Sequence, residues 1–240
     1  MAKETNLILL LLVLVVSILV IGAGCQTAQQ GTGNGTGQQG QENQGQESEP
    51  QLLFADDFSG YGTGATPTRW TAVTKDNTYA STKGTTQPNG QYGMVLEIKG
   101  KFLKTGDANW KDYTITTQFK IYNAGDHVGP EVIFRLQDDG NYYVFSTQPQ
   151  PTGTNYVIYK ITPENTYEIK QRARNIRIDD EAWHKLQLNI QGSDLTVSID
   201  DEVVMEKTID DIPATGSIGL SSNKFSDIYF DDFQVMGTTA

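Results

Sequence analysis

Residues 113–121 alternate strictly. Tyr113, Ile115, Thr117, Phe119 and Ile121 fall on one side, and Thr114, Thr116, Gln118 and Lys120 on the other. A two-residue period belongs to an extended strand with one face buried and one face wet. The texture returns at 131–137, where Val132, Phe134 and Leu136 oppose Glu131, Ile133, Arg135 and Gln137. It returns again at 155–161, 167–171, 183–191, 195–199, 203–209 and 227–235. Turn-forming groups separate the runs: Asp138-Asp139-Gly140-Asn141, Gln191-Gly192-Ser193-Asp194 and Asp200-Asp201. No stretch carries a long 3.6-residue period. Parallel pairing needs crossovers, usually helical. Short strands without them imply two antiparallel sheets packed face to face, an all-β sandwich. With no repeat and no second linker, residues 51–237 read as one domain.

The chain before that domain has a different character. Residues 7–21 are apolar apart from Ser17, and Gly22, Ala23, Gly24 and Cys25 follow. Such a run is an export or anchoring segment rather than part of a fold. The small residues leading into the single cysteine resemble a lipoprotein processing site, which implies cleavage before Cys25 and a lipid on its sulfur. An uncleaved N-terminal anchor is the other reading. Both place the protein outside the cytoplasm, tethered to a membrane. Residues 26–50, QTAQQGTGNGTGQQGQENQGQESEP, hold nothing that could anchor a core. They read as a disordered spacer reaching about 30 Å. Asn34-Gly35-Thr36 within it is an N-glycosylation sequon.

Composition excludes several classes. The formal net charge is -11, against nucleic acid as a partner, since phosphate binding needs clustered cations. One cysteine permits no internal disulfide, so core packing must hold the sandwich. His127 and His184 have no zinc-type spacing with Cys25. Trp183 is expected to cap the core at a strand start, and His184 to point the other way.

Several stretches together carry a family resemblance. They are Phe54-Ala55-Asp56-Asp57-Phe58, Phe134-Arg135-Leu136-Gln137-Asp138 with Asn141-Tyr142-Tyr143-Val144-Phe145, and Trp183-His184-Lys185-Leu186-Gln187-Leu188. Asp194 to Asp200, Gly216-Ser217-Ile218-Gly219-Leu220 and Tyr229-Phe230-Asp231-Asp232-Phe233-Gln234-Val235 complete the set. In this order they resemble the concanavalin A-like lectin/glucanase superfamily, in its laminin G-like and carbohydrate-binding-module branches. The resemblance covers about residues 52–237. It implies a jelly roll that holds ligands on a concave face or at the loop rim. The domain is also similar to 3-keto-disaccharide hydrolase-like domains, the leading enzymatic alternative. Glycosidases of the superfamily carry Glu-x-Asp-x-x-Glu on one strand face, and this chain has no such triplet. Retaining chemistry needs two carboxyls about 5 Å apart, and Glu131 stands alone on its strand.

Binding therefore leads catalysis. The expected function is a non-catalytic, carbohydrate-binding module, with a cell-surface adhesion or structural domain as a second alternative. Sugar recognition pairs planar polar groups with aromatic faces. The polar side of the proposed inner sheet offers Gln118, Lys120, Glu131, Arg135 and Gln137. A four-residue loop at 138–141 adds Tyr142 and turns Tyr143 and Phe145 into the core. The next run adds Tyr156 and Lys160. Sandwiches of the resembling kind set their first and last strands side by side, which would gather Asp56-Asp57 and Asp231-Asp232. Repelling carboxylates invite a cation, and calcium suits such oxygen donors. Asp57 and Asp232 are the expected ligands, because each precedes an aromatic residue that turns inward as the acid turns out. At the anchor, Cys25→Ser is expected to abolish lipid incorporation measured by mass spectrometry. Retention in the membrane with no lipid on the parent would mean an uncleaved helix instead.

Overall fold

The computed structural model describes residues 49–73, 79–124, 129–138, 140–150, 153–164, 168–174, 178, 181–222 and 226–240. Cys25, Asn34, His127 and most of the spacer lie outside these residues. The described strands are, in chain order, β1 (Gln51–Asp56), β2 (Thr71–Ala72), β3 (Tyr79–Thr86), β4 (Tyr92–Lys99), β5 (Phe102–Thr105), β6 (Trp110–Ala124), β7 (Pro130–Asp138), β8 (Asn141–Gln150), β9 (Gly153–Ile161), β10 (Glu168–Arg174), β11 (Trp183–Gln191), β12 (Asp194–Ile199), β13 (Glu202–Thr208), β14 (Ser217–Ser222) and β15 (Ser226–Thr239). No helix occurs among the described residues.

They form two antiparallel sheets. One holds eight strands in the order β13-β12-β11-β6-β15-β4-β3, with β1 also paired to β15. The other holds seven, β10-β9-β8-β7-β14-β5-β2. The architecture is an antiparallel β-sandwich. Alternation fills the space between the sheets. Tyr113, Ile115, Thr117, Phe119 and Ile121 of β6 are all buried, facing Val132 and Phe134 of β7 and Phe145 of β8. Leu186, Leu188, Leu220 and Phe230 complete the centre. The Asp200-Asp201 hairpin forms as expected, with φ of 51° and 64°. This left-handed pair matches strand twist in a two-residue hairpin, and Asp adopts it at modest cost.

Three sequence expectations are corrected here. Trp183 is not core. It is half-buried on the outer side of its sheet, and its indole N–H donates to the Thr86 carbonyl at 2.9 Å. His184 takes the inward place, its ring 5.5 Å from that of Phe119 and its Nδ1 2.7 Å from Asp200 Oδ2. The start of β11 thus has the opposite parity, set by the registers Trp183↔Lys120 and His184↔Phe119.

Arg135 is the second correction. It lies inside the sandwich with no exposed surface. Between Phe134 and Asp138, three residues of β7 stand opposite Tyr142 alone, so this ladder carries a bulge. Arg135 sits in it at φ 51°, a left-handed conformation that re-aims a side chain. Its guanidinium lies 5.0 Å from the Tyr113 ring centroid and donates to Trp110 O and Gly192 O at 3.4 and 3.3 Å. Burial lowers the Arg135 pKa and pushes the Tyr113 phenol up to about 12. The same bulge turns Leu136 away from Val132 and Phe134 into a second apolar cluster.

The third concerns β9. The registers Phe145↔Ile158 and Thr147↔Tyr156 send Tyr156 inward, where its ring stacks on Phe145 at 6.2 Å. The run Asn155-Tyr156-Val157-Ile158-Tyr159-Lys160-Ile161 is apolar on both parities, so alternation alone could not choose between them. Phe134→Ala is expected to destabilise the fold by about 3–5 kcal/mol in urea melts, the usual cost of an uncollapsed aromatic cavity. A loss below about 1 kcal/mol would show that this site repacks.

Candidate functional site

The outer face of the seven-stranded sheet carries the second apolar cluster: Phe102, Ile133, Leu136, Val144 and Ile161, with Val73, Tyr142 and Tyr159 packed on it. Most outward sheet faces are polar, so this one is built for cover or contact. Within it lies a polar row, because Ser221, Glu131 and Ser146 are successive cross-strand partners on β14, β7 and β8, with Val157 next on β9. Burial pushes the Glu131 carboxyl above the usual range, and a hydrogen bond with Ser221 only partly offsets this. Ser146 is almost fully buried, and its Oγ has no hydrogen-bond partner among the described residues.

Aromatic rings wall the row on two sides. Phe102 lies beside Ser221 in register, and its ring sits 5.1 Å from that of Tyr142. The floor beneath it must be glycine: a Cβ on Gly219 would stand 2.6 Å from Phe102 Cε2 and from Leu103 O. On the other side, Gln148 Nε2 donates to the Tyr159 hydroxyl at 2.6 Å. Tyr159 pairs with Val144 and Gln148 with Asn155. The bond therefore passes over the Ser146–Val157 pair lying between them, which accounts for the full burial of Val157.

Of the eight residues expected at the site, Glu131 and Tyr142 lie on this face. Gln137 stands at its end, donating to Thr215 O at 2.6 Å. Gln118 and Lys120 belong to the other sheet, paired with Asp231 and Tyr229 on β15. β6 and β7 lie in different sheets, so alternation carried from one to the other placed them together wrongly. Arg135 and Tyr156 are core. Lys160 points to the inner side, ion-paired with Asp211 at 2.8 Å. Phe102, Ser146, Gln148, Tyr159 and Ser221 were missed. For Tyr159 the signal was the other parity of its run. Ser146 and Ser221 carried none, because their neighbours come from register across strands.

A second feature lies where the chain ends meet. β1 pairs with β15 through Asp56↔Phe233 and Ala55↔Gln234. Asp56 is buried, accepting from Trp70 Nε1 at 3.0 Å, the Tyr61 hydroxyl at 3.1 Å and the Phe58 N–H at 3.0 Å. It anchors a cluster of Phe54, Phe58, Trp70 and Phe233 rings. Asp57 and Asp232 are exposed and line a cleft of about 630 Å³ with Tyr61 and Arg69. Asp232 stands at a bulge of β15 with φ 48°. Burial and the nearby Asp57 charge raise its pKa. Asp231 is buried, accepting from Gln87 Nε2 at 3.1 Å. Desolvation foremost, with the charges of Asp232 and Asp57, pushes it up to about 7.

The fold and this outer face define a concanavalin A-like jelly-roll domain of the kind found among carbohydrate-binding modules and glycosidases. Residues 99–238 match the family described as galactocerebrosidase, C-terminal lectin domain, and the chain belongs to that family. No curated protein matches it. Among solved structures it is similar to the carbohydrate-binding module CBM66 from Bacillus subtilis, at 17% identity and TM-score 0.53, covering 70% of this chain and 95% of that one. A GH16 protein of a Bacteroides ovatus mixed-linkage glucan locus, in complex with a G4G4G3G product, is similar at 15% identity and TM-score 0.56, covering 76% and 99%. Domain 4 of AbnA, a GH43 extracellular arabinanase from Geobacillus stearothermophilus, in complex with arabinotriose, is similar at 13% identity and TM-score 0.54, covering 80% and 95%.

The raised pKa of Asp231 sets a sign for pH dependence. Below about pH 4 the group is protonated folded and unfolded alike. Between about 4 and 7 the unfolded chain releases the proton while the folded one keeps it, so stability falls as pH rises. The slope is at most about 1.4 kcal/mol per pH unit. Asp231→Asn in chelator is expected to flatten that slope in urea melts and to exceed the parent in stability at pH 8. An unchanged slope would place the titrating group elsewhere.

Proposed function

We propose that this domain binds carbohydrate on the outer face of the seven-stranded sheet. One observation carries the reading: a desolvated carboxyl and a buried hydroxyl with no partner among the described residues lie between aromatic walls on a largely apolar sheet face. A sugar offers what such a place lacks, hydroxyls for Glu131 and Ser146 and C–H faces for Tyr142, Phe102 and Tyr159. Membership of a lectin-domain family and likeness to a carbohydrate-binding module support it. The side chains beside Glu131 are hydroxyls and rings, which favours binding over hydrolysis. The raised pKa of Glu131 is what a general acid would need, so glycoside processing is the second reading. On a glycan array, Tyr142→Ala and Glu131→Gln are each expected to weaken binding about tenfold while leaving the fold intact. Undiminished binding of a confirmed ligand by both variants would move the site to the loops. Products released from bound oligosaccharides would replace a binding module with an enzyme.

The rest of the proposal concerns setting. The apolar segment and Cys25 support an exported protein tethered to a membrane through its N-terminus, with the domain held off by the spacer. A structural calcium ion at the end cleft belongs to the same reading. The donors fit it: Asp57 and Asp232 are hard oxygen ligands whose mutual repulsion a cation relieves. No group of three metal-binding side chains gathers among the described residues, so backbone carbonyls and water would complete the shell. Calcium at a hundredfold excess over its dissociation constant is expected to raise stability by about 2.7 kcal/mol, an effect that Asp57→Asn with Asp232→Asn removes. Identical melting curves with calcium and with chelator would leave the two acids as surface charges.

A further inference from the structure

The outer side of the eight-stranded sheet carries a row that the site above does not use. Trp183, Lys120, Tyr229, Glu97 and Ser81 are successive cross-strand partners on β11, β6, β15, β4 and β3. In a flat sheet the two ends of this row would stand four strand spacings apart, about 19 Å. Thr86 lies further still, beyond Ser81 at the end of β3, yet its carbonyl accepts from the Trp183 indole. The end of the β3–β4 hairpin therefore curls over the sheet until it meets β11. A second bond fastens it, from Gln87 Nε2 to Asp231 Oδ2 at 3.1 Å. Gln87 lies across Gly93, where a Cβ would stand 2.1 Å from its Oε1. The row thus becomes the floor of a trough, with the hairpin as one wall.

Rings and charges meet on this floor. Tyr122, half exposed, follows Lys120 by two residues on β6 and stacks on Tyr229 at 5.4 Å. Lys83 Nζ donates to Glu97 Oε1 and to the Tyr229 hydroxyl, each at 2.8 Å. These bonds, that to Glu97 foremost, hold the Lys83 pKa above the usual range. Lys99 pairs with Asp227 at 2.9 Å, and Lys185 with Asp201 at 2.7 Å. Lys120 differs from these three. It is half-buried between Trp183 and Tyr229 in register. Its ammonium has no hydrogen bond, ion pair or ring contact among the described residues. A charge held partly out of water is costly without a partner, and in a chain of net charge -11 this one is left unmatched.

We infer that this trough is a second site, for a sugar bearing a carboxylate or sulfate. The anion pairs with Lys120, and the apolar face of the ring lies toward Trp183 and Tyr122. The inference rests on the reading that the domain binds carbohydrate, but not on Glu131 or Tyr142. Trp183 supplies a readout of its own. Trp70 and Trp110 are only 4% and 6% exposed, so acrylamide quenching of the folded chain reports chiefly on Trp183.

The test uses the full chain in detergent, with neutral oligosaccharides and their uronate-containing and sulfate-bearing counterparts. The charged member of a pair is expected to bind about tenfold more tightly and to shield Trp183 from acrylamide. The uronate and sulfate arms tell which anion the trough takes. Both effects should survive in the double variant Glu131→Gln with Tyr142→Ala. Lys120→Met should remove the preference, and Lys120→Arg should keep it. Equal binding of charged and neutral partners by the parent would overturn the inference and leave the site on the seven-stranded sheet standing, as would a preference untouched in Lys120→Met. A preference lost in the double variant would also overturn it, by moving the anion to that other site. Binding to no glycan would sink both readings.

Discussion

The long ladder between β6 and β15 is the interaction on which the rest depends. It runs from Trp110↔Thr239 to Ala124↔Ser226, joining the longest early strand to the C-terminal one. Loop closure over such a separation is entropically costly but rises only slowly with length. The described ladder and the core it seals offset that cost without a disulfide, since a single cysteine permits none within the chain. β1 and β4 both flank β15, at different stretches of it. The chain termini of the domain and the eight-stranded sheet are thereby held together at one strand.

Two left-handed residues break the ladders, and the clefts lie beside them. Asp232 at φ 48° lets β15 advance from Asp231↔Gln118 to Gln234↔Thr116. That advance buries Phe233 and leaves the Asp232 carboxyl beside Asp57. Arg135 at φ 51° does the same for β7. Its backbone N–H donates to the Tyr113 hydroxyl at 3.0 Å, so the opposite sheet fixes the bulge. A charge carried inward is expensive unless paired. The Tyr113 ring, two carbonyls and Asp112 at 3.8 Å compensate part of it, while Nε has no partner among the described residues. In exchange the bulge turns Leu136 outward and opens the end of the sheet, where Leu136, Gln137 and Asp138 line a cavity. Core strain and surface shape are one feature there.

Fold class was legible because strict alternation over residues such as 113–121 leaves no other element open. The hairpin at Asp200-Asp201 was legible for the same local reason. Faces were less so. Alternation decides which residues share a side, but not which sheet a strand joins, and Gln118 and Lys120 went astray on that point. It also assumes an unbroken ladder. Nothing local announces that an arginine will take a left-handed φ, so Arg135 was placed outside by a rule that the bulge suspends. At Trp183-His184 size was the misleading cue. The larger side chain found its partner across the sheet surface at Thr86, and the smaller ring fitted under Phe119. Ser146 and Ser221 show the remaining limit. Two serines from β8 and β14 gain meaning only from flanking Glu131 on β7.

On the proposed carbohydrate reading, Ser146 would also bear on selectivity. Leaving a buried hydroxyl without a partner costs about 1–3 kcal/mol in the free protein. A ligand that reaches it with a hydroxyl recovers that cost on binding, and a ligand that covers it with a methylene does not. Sites built to hydrogen-bond a ligand hydroxyl reject the analogue lacking it far more strongly than apolar pockets reject an extra methylene. The Tyr159–Gln148 bond over Ser146 adds a condition. Any group reaching Ser146 must displace or share that bond, so only a ligand offering replacement hydrogen bonds gains by entering. The stacking walls are tolerant of sugar identity, since many rings present C–H faces. If sugar binds there as proposed, discrimination would rest with Ser146, Glu131 and the bonded pair above them, and the aromatic rings would supply contact area rather than choice.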